Sequence, residues 1–351
     1  MNIGLMGGGQ LGRMMIQAAH RLGHTVTVLD PDPNGPAGQI ADAVVVGAYD
    51  DPLALEKLAH SAQVFTTEFE NVPAQALRFL AQHGQTFPNA DCVERAQDRL
   101  IEKAFLIEAG VPVAQHVAVL GEEDLAHAAD HLFPGILKTA RLGYDGKGQV
   151  RVSNREEAQK AFATLGSVPC VLEKCLPLVK EISVIIARDR HGAVVTYPVG
   201  ENVHIDGILH TTTVPAQLSS HLECAAQQAA QQVVNAMQYV GVLCVEFFVL
   251  EGEVLVANEM APRPHNSGHY SIEACVTSQF EQQVRICTDM PLGPTELKFP
   301  VRMTNVLGDA WFPVEPDWTE WTRQGAFVHL YGKKEPRRGR KMGHITQPLN
   351  V

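Results

Sequence analysis

Short apolar runs alternate with helix-spaced segments through about the first 90 residues of this chain. Asn2 to Met6, Thr25 to Leu29, Ala43 to Val46 and Val64 to Thr66 read as strands, and segments from about Gln10 to Leu22, from Pro52 and from Pro73 read as helices. Such alternation predicts a parallel sheet covered by helices, because each parallel strand needs a crossover to return. One polar-spaced helix follows, about Asp91 to Ala109, ended by Gly110 and Pro112. Between about 115 and 180, strands near Gly135 to Thr139, Gln149 to Val152 and Cys170 to Glu173, with a helix from Arg155 to about Thr164, predict a smaller α/β piece. β-rich stretches at Glu181 to Ala187, Ala193 to Val199 and Gly207 to Val214 then lead to a long helix around His221 to Tyr239. From about 291 the chain turns Pro-rich, which predicts a short third domain. The expected division is 1–98, 99–290 with a lid subdomain at about 115–180, and 291–351.

Two glutamates interrupt this pattern. Gly241-Val-Leu-Cys-Val-Glu-Phe-Phe-Val-Leu250 and Val254-Leu-Val-Ala-Asn-Glu-Met260, joined by Glu251-Gly252-Glu253, read as a hairpin. A turn centred near Gly252 sets Glu246 opposite Asn258 or its neighbour Glu259, a register open by one residue. Two like charges there repel, and burying them unpaired is costly. A divalent cation between Glu246, Glu259 and the Asn258 amide oxygen answers this, and Mg²⁺ usually arrives with phosphates. The plainer reading is pairing with an arginine, Arg263 being close in sequence. The next stretch, Ala261-Pro-Arg-Pro-His-Asn-Ser-Gly-His269, has little helix or strand propensity and many groups suited to polar ligands, so it reads as a ligand loop.

Composition narrows the classes. At 351 residues the chain has room for two or three domains, and 45% hydrophobic with 19% charged is ordinary for a globular protein. No apolar run has the length of a membrane span and no signal-peptide pattern opens the chain, so a cytoplasmic location is expected. Seven cysteines without CxxC pairs indicate neither a disulfide framework nor a zinc site. A net charge of −11 argues against a nucleic-acid partner. The one basic cluster, Lys333-Lys334-Glu-Pro-Arg337-Arg338-Gly-Arg340-Lys341, reads either as a pocket for a small anion or as a solvated loop.

Two glycine loops carry further chemistry. Gly7-Gly-Gly9-Gln-Leu-Gly12 satisfies GxGxxG between a strand and a helix, with Asp30 where a ribose-binding acid would stand. This leaves a nicotinamide-dependent dehydrogenase open, although the same turn offers amides to any phosphate. Arg141-Leu-Gly143-Tyr144-Asp145-Gly146-Lys147-Gly148 joins two strands, and its glycines exceed what a turn requires. With Lys147, and Lys138 on the preceding strand, it reads as a lid over a polyphosphate. Glu173-Lys174-Cys175-Leu176 at a strand end offers backbone groups to an adenine, with Glu181 near enough for ribose hydroxyls.

In this order the pieces resemble an ATP-grasp enzyme. Gly7-Gly-Gly-Gln-Leu-Gly-Arg13, Thr67-Glu-Phe-Glu-Asn-Val72, Ala96-Gln-Asp-Arg-Leu-Ile-Glu-Lys103, Gly143-Tyr-Asp-Gly-Lys-Gly148, Ala261 to His269 and Gly339-Arg-Lys-Met-Gly-His344 are similar to blocks of the N5-carboxyaminoimidazole ribonucleotide synthetase family, and the likeness spans essentially the whole chain. The resemblance implies an α/β ATP-grasp fold with a Rossmann-like N-terminal domain and a small C-terminal domain. It also implies ATP- and Mg²⁺-dependent carboxylation of 5-aminoimidazole ribonucleotide with bicarbonate through carboxyphosphate, by a homodimer of purine biosynthesis. By resemblance, Arg99 and Lys138 meet the nucleotide phosphates under the lid of Gly143, Gly146, Lys147 and Gly148. Glu173, Lys174 and Leu176 line the adenine pocket, with Glu181 and His204 nearby, and Glu246, Glu259 and Asn258 bind Mg²⁺. Gly9, Gln10, Glu70, Tyr144, Asp145, Arg263, His265, Asn266 and Ser267 contact the imidazole nucleotide and bicarbonate, while Lys333 and Arg340 grip its phosphate. Tyr144, Asp145 and Arg263 are the expected catalytic residues, Asp145 orienting or deprotonating the amine. Members of the family normally continue through a further terminal helical segment, so a truncated third domain is expected. Two more readings compete with a carboxylating synthetase: a formate-dependent transformylase of the same superfamily, and an inactive nucleotide-binding module.

Overall fold

The computed structural model describes residues 1–143 and 146–349, whose strands form three sheets. The first is parallel: β1 (Asn2–Met6), β2 (Thr25–Asp30), β3 (Ala43–Val46), β4 (Val64–Thr67) and β5 (Gln85–Thr86), in the order β3-β2-β1-β4-β5. Leu5, Val28 and Phe65 are fully buried, as expected for parallel strands covered on both faces. The helix expected over about 91–109 is instead two, Ala90–Ala96 and Arg99–Glu108. Asp98 breaks it: its carboxylate accepts from the Leu100 N–H at 3.0 Å, while the Gln97 amide turns away to donate to the carbonyls of Glu70 and Val72.

The second sheet is antiparallel, β6 (His116–Val119), β7 (Gly135–Thr139), β8 (Gln149–Val152) and β9 (Cys170–Lys174), in the order β6-β9-β7-β8. Its own core includes Leu137, Phe162 and Leu172. The third sheet holds nine strands: β10 (Leu178–Arg188), β11 (Val194–Thr196), β12 (Gly200–Ile205), β13 (Ile208–Val214), β14 (Gly241–Leu250), β15 (Val254–Ala261), β16 (Val301–Leu307), β17 (Phe327–Leu330) and β18 (Lys341–Pro348). Its path is β15-β14-β10-β12-β13-β16-β18-β17, with β11 beside β10. Helix Ser220–Ala236 lays Ala226, Ala230, Val233 and Val234 against Ile182, Val184, Val245 and Phe247, and burial of each large aliphatic chain contributes about 1.5–3 kcal/mol.

Two features position the site. The C-terminal strands do not stand apart, because β16 pairs with β13 at Thr211 and Thr304, making the sheet continuous to β17. The hairpin β14–β15 pairs Leu250 with Val254 and Phe247 with Ala257, then Glu246 with Glu259, leaving Asn258 as the extra residue of a bulge. The one-residue ambiguity of register is resolved by the chain using both residues.

Candidate active site

The hairpin bulge sets three oxygen-bearing residues, Glu246, Asn258 and Glu259, at one point of the ladder. Glu246 is 9% exposed, and burial together with the charge of Glu259 raises its pKa. Glu259 moves the opposite way, held low by the Arg99 guanidinium at 2.7 Å. The Asn258 Oδ1 atom is buried without a hydrogen-bond partner. A buried amide oxygen without a partner, on the residue before Glu259 and at the bulge opposite Glu246, completes an all-oxygen donor set that fits a hard divalent cation. Among the described residues no group of three or more His, Cys, Asp or Glu side chains has metal-site spacing, so a cation here draws its remaining ligands from a bound anion or water.

A buried ionic triad adjoins the hairpin, with Lys103 Nζ 3.5 Å from the Asn258 carbonyl. Glu173 on β9 is 3% exposed and lies 3.1 Å from Lys138 Nζ on β7 and 3.1 Å from Lys103 Nζ on helix Arg99–Glu108. Burial opposes ionisation of Glu173, but the two ammonium groups outweigh it and depress its pKa. Glu102, on the same helix, accepts from the Met260 N–H, and burial with the Glu259 charge pushes its carboxyl up to about 8. Neither Glu102 nor Lys103 is among the residues expected at the site. Lys103 lies four residues beyond Arg99, so helical periodicity alone places both on one face.

At the hinge, the Lys174 and Cys175 N–H groups donate to the carbonyls of Gln115 and Pro134, and Leu176 is half-buried. Glu181 on β10 and His204 on β12 pair at 2.7 Å, and these nearby acids hold the His204 pKa up against burial. Gly146 and Gly148 take φ of 75° and 73°, and a Cβ on Gly146 would stand 2.9 Å from the Asp206 carbonyl, so the loop rests on the β12–β13 turn. Gly143 accepts from Arg99 through its carbonyl, and Lys147 lines a polar cavity. Tyr144 and Asp145 lie outside the described residues.

That cavity, about 830 Å³, runs between the first and third sheets. Its lining includes Arg99, Lys147 and Glu259, the group Gln10, Glu70, Arg263, His265 and Asn266, and Lys333 with Arg340. Arg263 forms an ion pair with Glu70 across the domain junction, which raises the arginine pKa and lowers the glutamate's despite burial of both. His265 is neutral: burial, Arg263 and Lys341 drive its pKa far down. Its Nδ1 lies 2.8 Å from the Ser267 hydroxyl, which accepts from Ser183, and its Nε2 lies 3.7 Å from Glu246. Asn266 exchanges two amide hydrogen bonds with Asn305, a residue that no local pattern singles out. Lys333 donates to the Lys341 carbonyl at 2.7 Å, and Arg340 to that of Glu335 at 2.8 Å.

The first glycine loop is built differently from a dinucleotide grip. The Gly8 N–H donates to Asp30, and the N–H groups of Gly9 and Gly12 donate to Glu68. A Cβ on Gly9 would sit 2.3 Å from Glu68 Oε1. The glycines let two carboxylates approach the backbone, and the amides a pyrophosphate would use are occupied, which removes the basis for a dehydrogenase.

Comparison with known proteins agrees with this geometry. Models of the ribonucleotide synthetase preATP-grasp domain, the ATP-grasp domain and the phosphoribosylaminoimidazole carboxylase C-terminal domain match residues 1–97, 104–280 and 302–348. An N5-carboxyaminoimidazole ribonucleotide synthase from Brucella melitensis is 47% identical over 348 residues, 98% of this chain and 95% of that protein. The crystal structure of N5-carboxyaminoimidazole synthetase from Staphylococcus aureus complexed with ADP gives a TM-score of 0.94 at 38% identity, covering 100% of this chain and 93% of that one. The enzyme from Aspergillus clavatus in complex with ADP and 5-aminoimidazole ribonucleotide gives 0.90 at 33% identity, over 99% and 93% of the two chains. Likeness over nearly the full length at this identity, carried by three consecutive domain matches, means that the chain belongs to the N5-carboxyaminoimidazole ribonucleotide synthase family of ATP-grasp proteins.

Proposed function

We propose that this chain is an ATP-dependent ligase that joins bicarbonate to the amine of 5-aminoimidazole ribonucleotide, giving N5-carboxyaminoimidazole ribonucleotide, ADP and phosphate. The observation that carries the reading is one cavity lined both by Arg99 and Glu259 and by Lys333 and Arg340, with Arg263, His265 and Asn266 in the same wall. Three anionic species must meet there, and Arg99, Lys147, Arg263, Lys333 and Arg340 in its lining supply positive charge.

Bicarbonate is a poor electrophile. Its oxygen attacks the γ-phosphoryl group of ATP, ADP leaves, and the resulting carboxyphosphate loses phosphate when the amine attacks its carboxyl carbon. Glu246, Glu259 and Asn258 would hold Mg²⁺, which when bound neutralises charge as the phosphoryl group moves. Arg99 and Lys138 bind phosphate oxygens, with Gly143, Gly146, Lys147 and Gly148 closing above and keeping water from the labile carboxyphosphate. The backbone of Glu173, Lys174 and Leu176 holds the adenine, with Glu181 and His204 beside the ribose. Gly9, Gln10, Glu70, Arg263, His265, Asn266 and Ser267 orient the imidazole and bicarbonate, Lys333 and Arg340 bind the nucleotide phosphate, and Tyr144 and Asp145 serve the amine. Neutral His265 supports this assignment, because an imidazole without charge directs a hydrogen bond without adding a cation beside Arg263.

Domain boundaries near 98 and 290, a homodimeric assembly and a cytoplasmic location complete the proposal. Among the described residues no helix is long and apolar enough to cross a membrane. The test is phosphate release from ATP with magnesium and bicarbonate, with and without 5-aminoimidazole ribonucleotide. Strong stimulation by that nucleotide with formation of the N5-carboxy product is expected; hydrolysis indifferent to it would reject the acceptor.

A further inference from the structure

Helix Gln279–Cys287 carries three glutamines that are at most 1% exposed, Gln279, Gln282 and Gln283. Buried amides must be satisfied, and a primary amide presents a donor and an acceptor side by side, as the edge of a peptide does. Each of the three uses that pattern on a different segment. Gln282 donates to the Gly293 carbonyl at 2.9 Å and accepts from its N–H at 2.8 Å. Gln283 accepts from the Val242 N–H and donates to Thr66 and the Phe87 carbonyl, tying the third sheet to the first. Gln279 donates to the His265 carbonyl at 2.7 Å and accepts from the His265 N–H at 2.9 Å, which makes it a one-residue strand partner for the ligand loop.

The loop is shaped around this amide. A Cβ on Gly268 would stand 2.5 Å from Gln279 Oε1 and 2.7 Å from its Cδ. The backbone N–H of Gln279 donates to the Ser271 hydroxyl, which donates to the Gly268 carbonyl at 2.6 Å. One residue therefore holds both ends of the segment that presents His265, Asn266 and Ser267.

We infer that Gln279 is a positioning residue for the acceptor nucleotide, acting through the backbone of His265 without touching the ligand. The inference rests on the assignment of the 265–267 loop to that nucleotide under the proposed function. Gln282 has equal burial and the same paired hydrogen bonds, but its target lies away from the loop, so it separates positioning from mere structural support.

The test compares Gln279→Glu, Gly268→Ala and Gln282→Glu in the full chain. Steady-state kinetics vary 5-aminoimidazole ribonucleotide and ATP separately, alongside ADP titrations and thermal melting. Gln279→Glu keeps the volume but sets an oxygen against the His265 carbonyl, and Gly268→Ala pushes the amide away. Both should raise KM for the acceptor about tenfold or more, the scale of one opposed buried hydrogen bond, with KM for ATP and ADP affinity within about twofold. Gln282→Glu should lower the melting temperature without that split. The inference is overturned if the acceptor KM is unchanged in the first two variants, if ATP KM rises equally, or if Gln282→Glu reproduces the split. Should Gln279→Glu not fold, Gly268→Ala decides alone. A parent enzyme whose phosphate release ignores the acceptor sinks the proposed function and this inference together, whereas normal parental turnover with indifferent variants sinks only the role of Gln279.

Discussion

Lys103 and Lys138 approach the two oxygens of one carboxylate, that of Glu173, each at 3.1 Å and all three almost wholly buried. Glu173→Gln leaves two ammonium groups without their counter-charge, and breaking such a buried arrangement costs about 3–5 kcal/mol. Chemical denaturation should show that loss. ADP should then raise the melting temperature of the variant by more than that of the parent, because phosphates supply the missing negative charge beside Lys138. An equal ADP-induced shift would contradict the placement of Lys138 at the phosphates.

Glu259→Gln removes the partner of Arg99 and one of the proposed cation ligands. The Glu259 side chain is 39% exposed, so the ion pair itself contributes at most about 1 kcal/mol and the fold should stand. ADP affinity measured with magnesium should fall about tenfold or more, and affinity measured without it should change little. Unchanged magnesium dependence would reject the ligand assignment.

Lys333→Ala and Arg340→Ala should each weaken 5-aminoimidazole ribonucleotide by roughly ten- to a hundredfold, the scale of one charged hydrogen bond, while leaving the KM of ATP nearly unmoved. Parallel loss of both substrates would contradict a division of the cavity into two phosphate ends.

Glu102 titrates near 8 in the fold and near 4.5 outside it. Between those values the native state holds a proton that the unfolded chain has released, so the contribution of this group declines as pH rises from about 4.5 to about 8, then levels off. Glu102→Gln abolishes that decline. Its stability relative to the parent should grow across the same window, by on the order of a few kcal/mol, in urea denaturation at about pH 5 and about pH 9. A constant difference would show that Glu102 is ionised in the native state throughout.

Much of this architecture is legible in the sequence because its signals are local. The parallel strands of the first sheet announce themselves as short apolar runs, and Asn2–Met6 and Ala43–Val46 fall where the pattern sets them. The hairpin of Glu246 is equally readable, but its register is not, since a bulge at Asn258 depends on what the strand must present and not on its periodicity. The helix break at Asp98 stays hidden because a capping aspartate inside a polar-spaced run looks like a surface position. The joining of β16 to β13 is invisible for another reason: antiparallel partners some 90 residues apart leave no periodic trace. Glu68 belongs to the same class. Its task, to accept the Gly9 and Gly12 amides, exists only once β4 lies beside β1.

The unbroken ladder from β15 to β17 makes the third sheet a single frame. The bulged hairpin stands at one edge, and Lys333 and Arg340 flank the two strands at the other, with every intervening strand fixed by backbone pairing at about 4.8 Å per step. The hairpin that carries Glu259 and the strands flanked by Lys333 and Arg340 thus belong to one hydrogen-bonded piece of backbone, and all three side chains open on the same cavity, so its walls are joined by a continuous ladder and not by a linker.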